Sequence, residues 1–439
     1  MKHLYLTVLA LIFLACNQGN GHKQTLKANT KIKDNSISGK TPNILFLIAD
    51  DMGKEAISGF QEGTIKPKTP HIDNIRNSGL SFSNFWTYPT CSPTRASMIT
   101  GKYGYRTNVR WANQILSPSE LILQKYINNK TKNKYATALV GKWHLSGLDA
   151  TSINPESFGL DYYAGIFKGS VKDYYNWPLM ENGMNKTCTE YTTTKLTSLA
   201  TDWIEQQEKP WFMWLAYNAP HTPFHVPPSE MHSQGNIPEY NSELNPIPYF
   251  MASIEAMDYQ IGRLLNSLSE ADKENTIIIF IGDNGTEPVV TQAPYGKNQV
   301  KRNLYQGGIN MPMFISGKGV TRKGIDNNLI TSSDMFATIS EITGVDIPEI
   351  NDSKSFKSLF TKEDVIRTYQ YSEMKNDTKD AWTISNGTYK LMVFGNGNKE
   401  IYNLNDDPYE KNNLIKATLT PSLQQVKTEL EQELLKIRN

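Results

Sequence analysis

The chain has 439 residues, enough to bury a large hydrophobic core and more than one compact domain usually contains. We therefore expect two domains. The 45 lysine and arginine residues are balanced by 44 aspartate and glutamate residues, which leaves a net charge of +1. This balance gives no support for nucleic-acid binding or for attraction to an anionic membrane surface. An anionic substrate would have to be bound by local cations in one pocket.

The N-terminus has the pattern of a segment that directs export. Lys2 and His3 precede an apolar run over residues 4–15, which is too short to cross a membrane and typical of a signal-peptide core. The run ends at Cys16 and resembles a bacterial lipobox, although Phe13 stands where an aliphatic residue is usual. We predict a signal peptide over residues 1–15 and lipidation of Cys16, with simple secretion as the alternative.

The residues after Cys16 are polar and rich in asparagine, glycine and lysine, so we expect a flexible tether over residues 16–40. The expected location is the periplasm or the outer membrane as a lipoprotein, with the cell surface left open. Contact with a membrane is expected only through the N-terminal lipid.

Short apolar runs recur after the tether, and polar residues rather than tight hairpin turns follow each of them. Such runs predict strands buried on both faces of a largely parallel sheet. They cover residues 43–49, 136–140, 211–217, 276–281 and 313–315. Helical patterns over 251–271 and 333–343 lie between them. The alternation predicts an α/β fold, a large mixed, mostly parallel sheet flanked by helices, in a first domain over residues 41–350.

The pattern changes after about residue 350. Short strand-like segments joined by asparagine–glycine turns cover residues 369–373, 381–385, 389–394 and 400–403, and a terminal helix is predicted over 421–437. We expect a smaller antiparallel sheet plus helix, a C-terminal α+β subdomain over residues 351–439.

Polar residues that can carry chemistry follow four of the predicted strands. They are Asp50 and Asp51 after the first strand, Lys142 and His144 after the second, His221 after the third, and Asp283 and Asn284 after the fourth. Functional residues of open α/β sheets gather beyond the carboxyl ends of the strands. These segments are therefore expected to meet at one site.

The acidic and amide residues of this set form an all-oxygen group, Asp50, Asp51, Asp283 and Asn284. Such ligands suit a hard cation, Ca²⁺ or Mg²⁺, rather than zinc. Adjacent carboxylates also repel each other unless a cation lies between them. Taken separately, the aspartate pair is equally compatible with a helix cap or loop, and Asp283-Asn284-Gly285 with a turn.

Cys91 stands in the run Cys91-Ser92-Pro93-Thr94-Arg95, which continues to Thr100-Gly101. Pro93 suits the first position of a helix, and the free N–H groups of a first helical turn, together with Arg95, make an anion site. As a plain thiol, Cys91 has no histidine nearby in sequence to activate it.

This run resembles, position for position, the signature of the type I sulfatases of the alkaline phosphatase superfamily. The resemblance implies the alkaline-phosphatase-like fold and hydrolysis of a sulfate ester. The expected export of the chain favours an oligo- or polysaccharide as the substrate, because exported bacterial enzymes usually process external polymers. It also implies that a maturating enzyme oxidises Cys91 to formylglycine (3-oxoalanine), whose hydrate attacks sulfur. Calcium rather than magnesium is then expected on Asp50, Asp51, Asp283, Asn284 and the modified residue 91.

Further family elements assign expected roles to cations and histidines. Lys142 and His144 resemble the Gly-Lys-Trp-His element, whose lysine and histidine support the formylglycine hydrate. Lys301 precedes Tyr305-Gln306-Gly307-Gly308 and resembles a lysine that contacts the sulfate and the leaving-group oxygen. Gln306 replaces the glutamate that is usual in that element.

Arg95 is a further expected cation for the sulfate, and His221 resembles a histidine that protonates the departing alcohol. Singly, each lysine is more often solvent-exposed and the histidine more often structural.

Several alternatives stay open from the sequence. The chain could be a phosphonate or phosphodiester hydrolase of the same superfamily, or a non-catalytic protein that binds sulfated glycans. With lipid on Cys16 and a modified Cys91, Cys188 is left alone and no disulfide is expected. The alternative is a Cys91–Cys188 disulfide.

Overall fold

A computed structural model describes residues 41–148 and 155–439. The signal peptide, Cys16 and the tether, predicted over residues 1–40, lie outside the described residues. Thr41–Asn439 forms one compact unit, and a boundary at residue 350 stays a prediction. Within the described ranges, no helix combines the length and the apolar character that crossing a bilayer requires.

An 11-stranded mixed sheet forms the centre of this unit, with the strand order β11-β2-β10-β8-β1-β7-β3-β4-β5-β6 and β9 beside β2. The strands are β1 (Asn43–Ala49), β2 (Leu80–Trp86), β3 (Ala136–Lys142), β4 (Tyr163–Ile166), β5 (Trp177–Glu181), β6 (Met184–Cys188), β7 (Trp211–Ala216), β8 (Thr276–Gly282), β9 (Asn310–Met311), β10 (Met313–Gly317) and β11 (Gly324–Thr331). Neighbouring strands in the run β8-β1-β7-β3-β4 are parallel.

Helices cover both faces of this sheet. They are α1 (Pro70–Ser78), α2 (Cys91–Thr100), α3 (Gly104–Thr107), α4 (Leu123–Thr131), α5 (Thr192–Glu205), α6 (Ile247–Ser267), α7 (Glu270–Asn275), α8 (Gln306–Ile309) and α9 (Asp334–Ile342). One apolar cluster joins the sheet to α2, α4 and α9, and a second joins its other face to α1, α5 and α6.

The strand β1 shows why an unbroken apolar run becomes a central strand. Successive side chains of a strand point to opposite faces. Ile44, Phe46 and Ile48 pack into the first cluster, whereas Leu45 and Leu47 pack into the second. All of these side chains are fully buried, and each stabilises the fold by roughly 1.5–3 kcal/mol relative to exposure.

The smaller C-terminal sheet is antiparallel, as the sequence predicted. Its strands are β14 (Gln370–Lys375), β15 (Asp380–Ser385), β16 (Tyr389–Phe394) and β17 (Lys399–Asn403), in that order, and α10 (Pro421–Arg438) packs on it. A two-stranded ribbon of β12 (Glu349–Ile350) and β13 (Ser353–Lys354) precedes it. The predicted fold class, a large mixed sheet flanked by helices with a small antiparallel sheet, is confirmed.

Several boundaries differ from the prediction. The helix predicted over residues 251–271 begins earlier, as α6, and ends at Ser267, because Leu268 adopts an extended backbone and Ser269 caps the separate helix α7. The predicted strand over 313–315 is present as β10 but runs antiparallel to β8 and β2. The hairpin of β5 and β6, closed at Asn182-Gly183, was not predicted.

Candidate active site

The site forms where four adjacent parallel strands end. The strands β8, β1, β7 and β3 are neighbours, so their carboxyl ends share one edge of the sheet. The backbone fixes the register beyond the strands, because Asp50 N donates to Ala219 O at 3.1 Å and Asp283 N donates to Ala49 O at 3.0 Å. The structure therefore brings the loops after these strands together.

Helix α2 carries Cys91 into this edge. The helix begins at Cys91, two residues before the position that the sequence predicted for its start, and Thr90 is its N-cap. Pro93 is consequently the third helical residue, where its missing N–H is still one that the helix would leave unpaired. The entire helix is buried, and Gly101 ends it in a left-handed conformation.

Lys142, the last residue of β3, joins Cys91 to the carboxylates. Its Nζ lies 2.5 Å from Asp50 Oδ2 and 3.2 Å from Cys91 Sγ, and all three side chains are buried. Burial alone would lower the pKa of Lys142, but Asp50 and Cys91 outweigh it and raise that pKa above its usual value. Burial raises the pKa of the Cys91 thiol, and the surrounding carboxylates add to this against the effect of Lys142.

Arg95 holds the carboxylate of Asp283 rather than facing solvent. Its Nη2 donates to Asp283 Oδ2 at 2.7 Å, and its Nη1 donates to Lys142 O at 2.8 Å. The other carboxylate oxygen, Asp283 Oδ1, accepts from the backbone N–H of Asp51 at 3.1 Å. Burial, and then Asp50, raise the pKa of Asp283 to about 6.

Asp51 accepts hydrogen bonds from two other side chains of the site. Its Oδ2 accepts a hydrogen bond from Lys301 Nζ, and its Oδ1 accepts from Asn284 Nδ2 at 2.7 Å. Lys301 also donates to Glu287 at 3.1 Å. Burial would raise the pKa of Asp51, but Lys301 and then His221 outweigh it and hold that pKa far below its usual range.

His221 approaches Asp51 from the loop after β7. Its Nε2 lies 3.6 Å from Asp51 Oδ2, and its Nδ1 lies 2.7 Å from Thr222 O, which can only accept a hydrogen bond. Nδ1 is thus the protonated nitrogen of the neutral ring, and Nε2 is free to gain or lose a proton towards the site. Burial lowers the pKa of His221 to about 4, partly offset by Asp51.

His144 follows β3 and is buried beside the same cations. Its Nε2 lies 2.8 Å from Asn113 Oδ1. Burial, and then Lys142 and Arg95, hold the pKa of His144 well below its usual value, so the ring is neutral.

The arrangement fits a hard divalent cation. Ligand atoms of Asp50, Asp51, Cys91 and His221 all lie within 4.8 Å of one another. Asp50 Oδ1 and Asn284 Oδ1 are buried oxygens with no hydrogen-bond partner among the described residues, and unpaired buried oxygens are costly unless something binds them. Each carboxylate oxygen of Asp283 accepts at least one hydrogen bond, as each oxygen of Asp51 does, and an ionised carboxylate has further lone pairs for a cation.

The sequence patterns did not single out Glu287 or Asn113, nor the contact of Tyr174 with the His221 loop. Glu287 pairs with Lys301 and binds Arg302 with two contacts of 2.7 Å. Tyr174 Oη donates to Asn218 O and His221 O at 2.8 and 2.7 Å and so holds the His221 loop. The only sequence signal for any of these residues is that Glu287 is acidic and follows Asp283 by four positions.

The cysteines make no disulfide in the described part of the chain. Cys91 is buried and Cys188 is half-buried at the end of β6, and both are free thiols. The alternative of a Cys91–Cys188 disulfide is therefore wrong.

Comparison with known families gives this geometry a context. Residues 42–345 match the family model described as Sulfatase, and residues 298–439 match the model described as N-sulphoglucosamine sulphohydrolase, C-terminal. The chain belongs to the sulfatase family. The resemblance read from the Cys91 signature is confirmed.

Similar proteins include bacterial sulfatases. The chain is 25% identical to the N-acetylgalactosamine-6-O-sulfatase of Bacteroides thetaiotaomicron, covering 91% of this chain and 96% of that protein. It is 26% identical to the uncharacterized sulfatase YdeN of Escherichia coli over 72% of this chain, and it spans only 64% of the length of that relative.

A solved structure shares the fold. The structure of BT4656 in complex with D-glucosamine-2-N,6-O-disulfate superposes with a TM-score of 0.73 at 20% identity and covers 91% of this chain and 97% of that chain. The sulfatase fold thus extends across both sheets.

Proposed function

We propose that this sulfatase hydrolyses a sulfate ester of an oligo- or polysaccharide to the free hydroxyl and inorganic sulfate. The observation that carries the proposal is the position of Cys91, the first residue of a buried helix, with Lys142 Nζ 3.2 Å from its sulfur. The names of the relatives, which act on sulfated sugars, support a carbohydrate substrate.

The proposal includes a modified residue 91 and a calcium ion. A buried thiol with a raised pKa is a weak nucleophile, which supports conversion of Cys91 to formylglycine by a maturating enzyme. Formylglycine, when present, supplies a hydroxyl nucleophile, and a calcium ion supplies positive charge for the sulfate oxygens. Asp50, Asp51, Asp283, Asn284 and residue 91 would hold the ion.

The remaining side chains have separable roles in this proposal. Lys142 and Lys301 place two ammonium groups where the sulfate charge would lie, and charge-assisted bonds to oxyanions are the strong kind. Arg95 positions Asp283 and the carbonyl of Lys142. His221 presents Nε2 for proton transfer to the departing alcohol, and a bound anionic ester would favour the protonated imidazole.

A desulfation screen tests the proposal. The matured enzyme is incubated with defined sulfated oligosaccharides, and released sulfate is quantified alongside NMR of the sugar product. We expect sulfate release that Cys91→Ala abolishes while circular dichroism shows an unchanged fold. Calcium should restore activity that chelation removes.

Two outcomes would replace the proposal. Faster turnover of an aryl phosphodiester than of an aryl sulfate would favour a phosphodiester hydrolase. Glycan binding that is unaltered in Cys91→Ala, with no sulfate released by the wild type, would favour a binding protein.

We also propose export with lipid on Cys16, on the basis of the N-terminal sequence alone. Metabolic labelling with palmitate should mark the wild type and not Cys16→Ser. Labelling of neither protein would indicate simple secretion.

A further inference from the structure

His144 has a strained backbone that its surroundings hold in place. Its φ angle is +58°, a left-handed conformation that is strained for a residue other than glycine. Its N–H donates to Phe167 O at 3.0 Å, and its carbonyl accepts from Ser92 Oγ at 2.8 Å. Such strain persists where the neighbouring structure demands one particular orientation of the side chain.

The imidazole ring is enclosed on its Nε2 edge. Asn113 Oδ1 lies 2.8 Å from Nε2, and Gly169 packs so closely that a Cβ there would come within 2.4 Å of the same nitrogen. The other nitrogen, Nδ1, is buried and has no hydrogen-bond partner in the described ranges. Nε2 is therefore in contact with neighbouring residues, whereas Nδ1 is free to accept a hydrogen bond from a ligand of the site.

Ser92 connects Asn113 and His144 to residue 91, the proposed nucleophile. The Ser92 hydroxyl accepts from the backbone N–H of Asn113 at 3.0 Å and donates to the His144 carbonyl. Ser92 directly follows Cys91 in α2, so the helix that carries residue 91 also sets the spacing between Asn113 and His144.

We propose that Asn113 is a positioning residue that fixes His144 in the neutral tautomer with its proton on Nε2, leaving Nδ1 as a bare acceptor. A carboxamide oxygen can only accept, so a bond to Oδ1 places the ring proton on Nε2. Nδ1 then accepts a hydrogen bond from an O–H donor in the site. The role of this acceptor in turnover rests on the proposed function, whereas the tautomer itself does not.

The position of Asn113 allows a clean variant. Its φ angle is +64° and it is solvent-exposed, so Asn113→Gly removes the carboxamide without adding backbone strain. Asn113→Asp keeps an acceptor oxygen in a residue that tolerates this conformation. Asn108 is a matched control, since it is also an exposed asparagine, with a φ angle of +58°, at the end of α3.

The experiment combines NMR of the histidine-labelled full chain with kinetics normalised to the formylglycine content of each variant. The resonances of His144 are identified by their loss in His144→Asn. We expect the Nε2–H tautomer in the wild type and in Asn113→Asp, and a mixture of tautomers in Asn113→Gly. We expect kcat of Asn113→Gly to fall by about 10- to 100-fold at similar KM, and Asn108→Gly to match the wild type.

Two further variants separate the ring nitrogens. An asparagine amide group occupies roughly the place of Nδ1 and a glutamine amide that of Nε2, so His144→Asn should retain more activity than His144→Gln. An Nδ1–H tautomer in the wild type, an unchanged tautomer in Asn113→Gly, or the reverse order of these two variants would overturn the proposal. A wild type that releases no sulfate from any substrate would instead defeat the proposed function, while the NMR result would still decide the tautomer.

Discussion

Two buried lysine–carboxylate pairs in this molecule have similar geometry and different surroundings. Lys142 lies 2.5 Å from Asp50 at the site, and Lys390 lies 2.6 Å from Glu410 beside the C-terminal sheet, with all four side chains fully buried. Burial lowers the pKa of Lys390, although Glu410 opposes it. At the site, burial also acts to lower the pKa of Lys142, but Asp50 and then Cys91 outweigh it and raise that pKa.

The two pairs differ in the further contacts that their polar atoms make. Lys390 also donates to Leu304 O at 2.5 Å, and Glu410 accepts from the backbone of Gln306, so the pair fastens the segment after Lys301 to the C-terminal sheet. Asp50 instead retains an oxygen without a partner among the described residues. Both carboxylate oxygens of Glu410 are thus engaged by the fold, whereas one buried oxygen of Asp50 is available to the proposed cation.

The largest expected effect is on stability, at the C-terminal pair. Lys390→Met leaves Glu410 buried without its cation, and we expect the free energy of unfolding to fall by about 3–5 kcal/mol. Urea denaturation followed by fluorescence measures this. Lys399→Met, which removes a lysine with a half-exposed side chain on β17, is the control and should change stability by less than about 1 kcal/mol. Equal losses of stability in Lys390→Met and Lys399→Met would show that the buried pair contributes no more than a half-exposed one.

Lys142→Met should act mainly on turnover. It removes a cation from the place where the sulfate charge would lie, so we expect kcat to fall about 10²- to 10³-fold. Stability should fall less than in Lys390→Met, because Arg95 also acts on Asp50. The measurements are sulfate release per mole of formylglycine and urea denaturation. A kcat close to that of the wild type would contradict the role given to Lys142.

Neutralising both partners of each pair separates the cost of a stranded charge from the role of the lysine. In Lys390→Met with Glu410→Gln, the Gln306 N–H keeps an acceptor and no charge is stranded, so the loss of stability should shrink to about 1–3 kcal/mol. In Lys142→Met with Asp50→Asn, kcat should stay as low as in the single variant. Recovery of kcat in that double variant would show that Asp50 and Lys142 form only a structural pair.

The last expected effect is on the pH dependence of stability and concerns His225, which stacks on Tyr174 with ring centroids 3.8 Å apart. Burial lowers the pKa of His225 from 6.5 to about 4. Between about pH 4 and pH 6.5, His225 therefore binds a proton when the chain unfolds. The free energy of unfolding should rise with pH across this range by up to about 1.4 kcal/mol per pH unit. Urea denaturation from pH 4 to 7 should show a shallower slope in His225→Gln. An identical slope would mean that His225 is not the group responsible.

The sequence predicted those parts of the fold that depend on local pattern. β1 and β16 match their predicted residues, because continuous apolar runs or turn-bounded segments define them. β2 and β11 were missed because serine, asparagine and aspartate interrupt their apolar residues, and only pairing within the sheet makes them strands. Tertiary contacts override a weak local preference there.

The site was predictable to the extent that topology gathers strand ends. Asp50, Lys142 and Asp283 meet because parallel strands end at one edge, whatever the loops do afterwards. Asn113 and Glu287 enter from irregular loops whose paths no periodicity encodes. Lys301 also lies in a loop, and only the resemblance to a family element singled it out.

The proposal that a modified residue 91 is the nucleophile is tested by the dependence of sulfate release on the chemical state of that residue. Preparations made with different amounts of maturating enzyme are compared by mass spectrometry of the peptide that contains residue 91 and by sulfate release from a sulfated oligosaccharide. We expect activity proportional to the fraction of formylglycine and no activity at zero fraction. Full activity in a preparation in which residue 91 is entirely cysteine would contradict it.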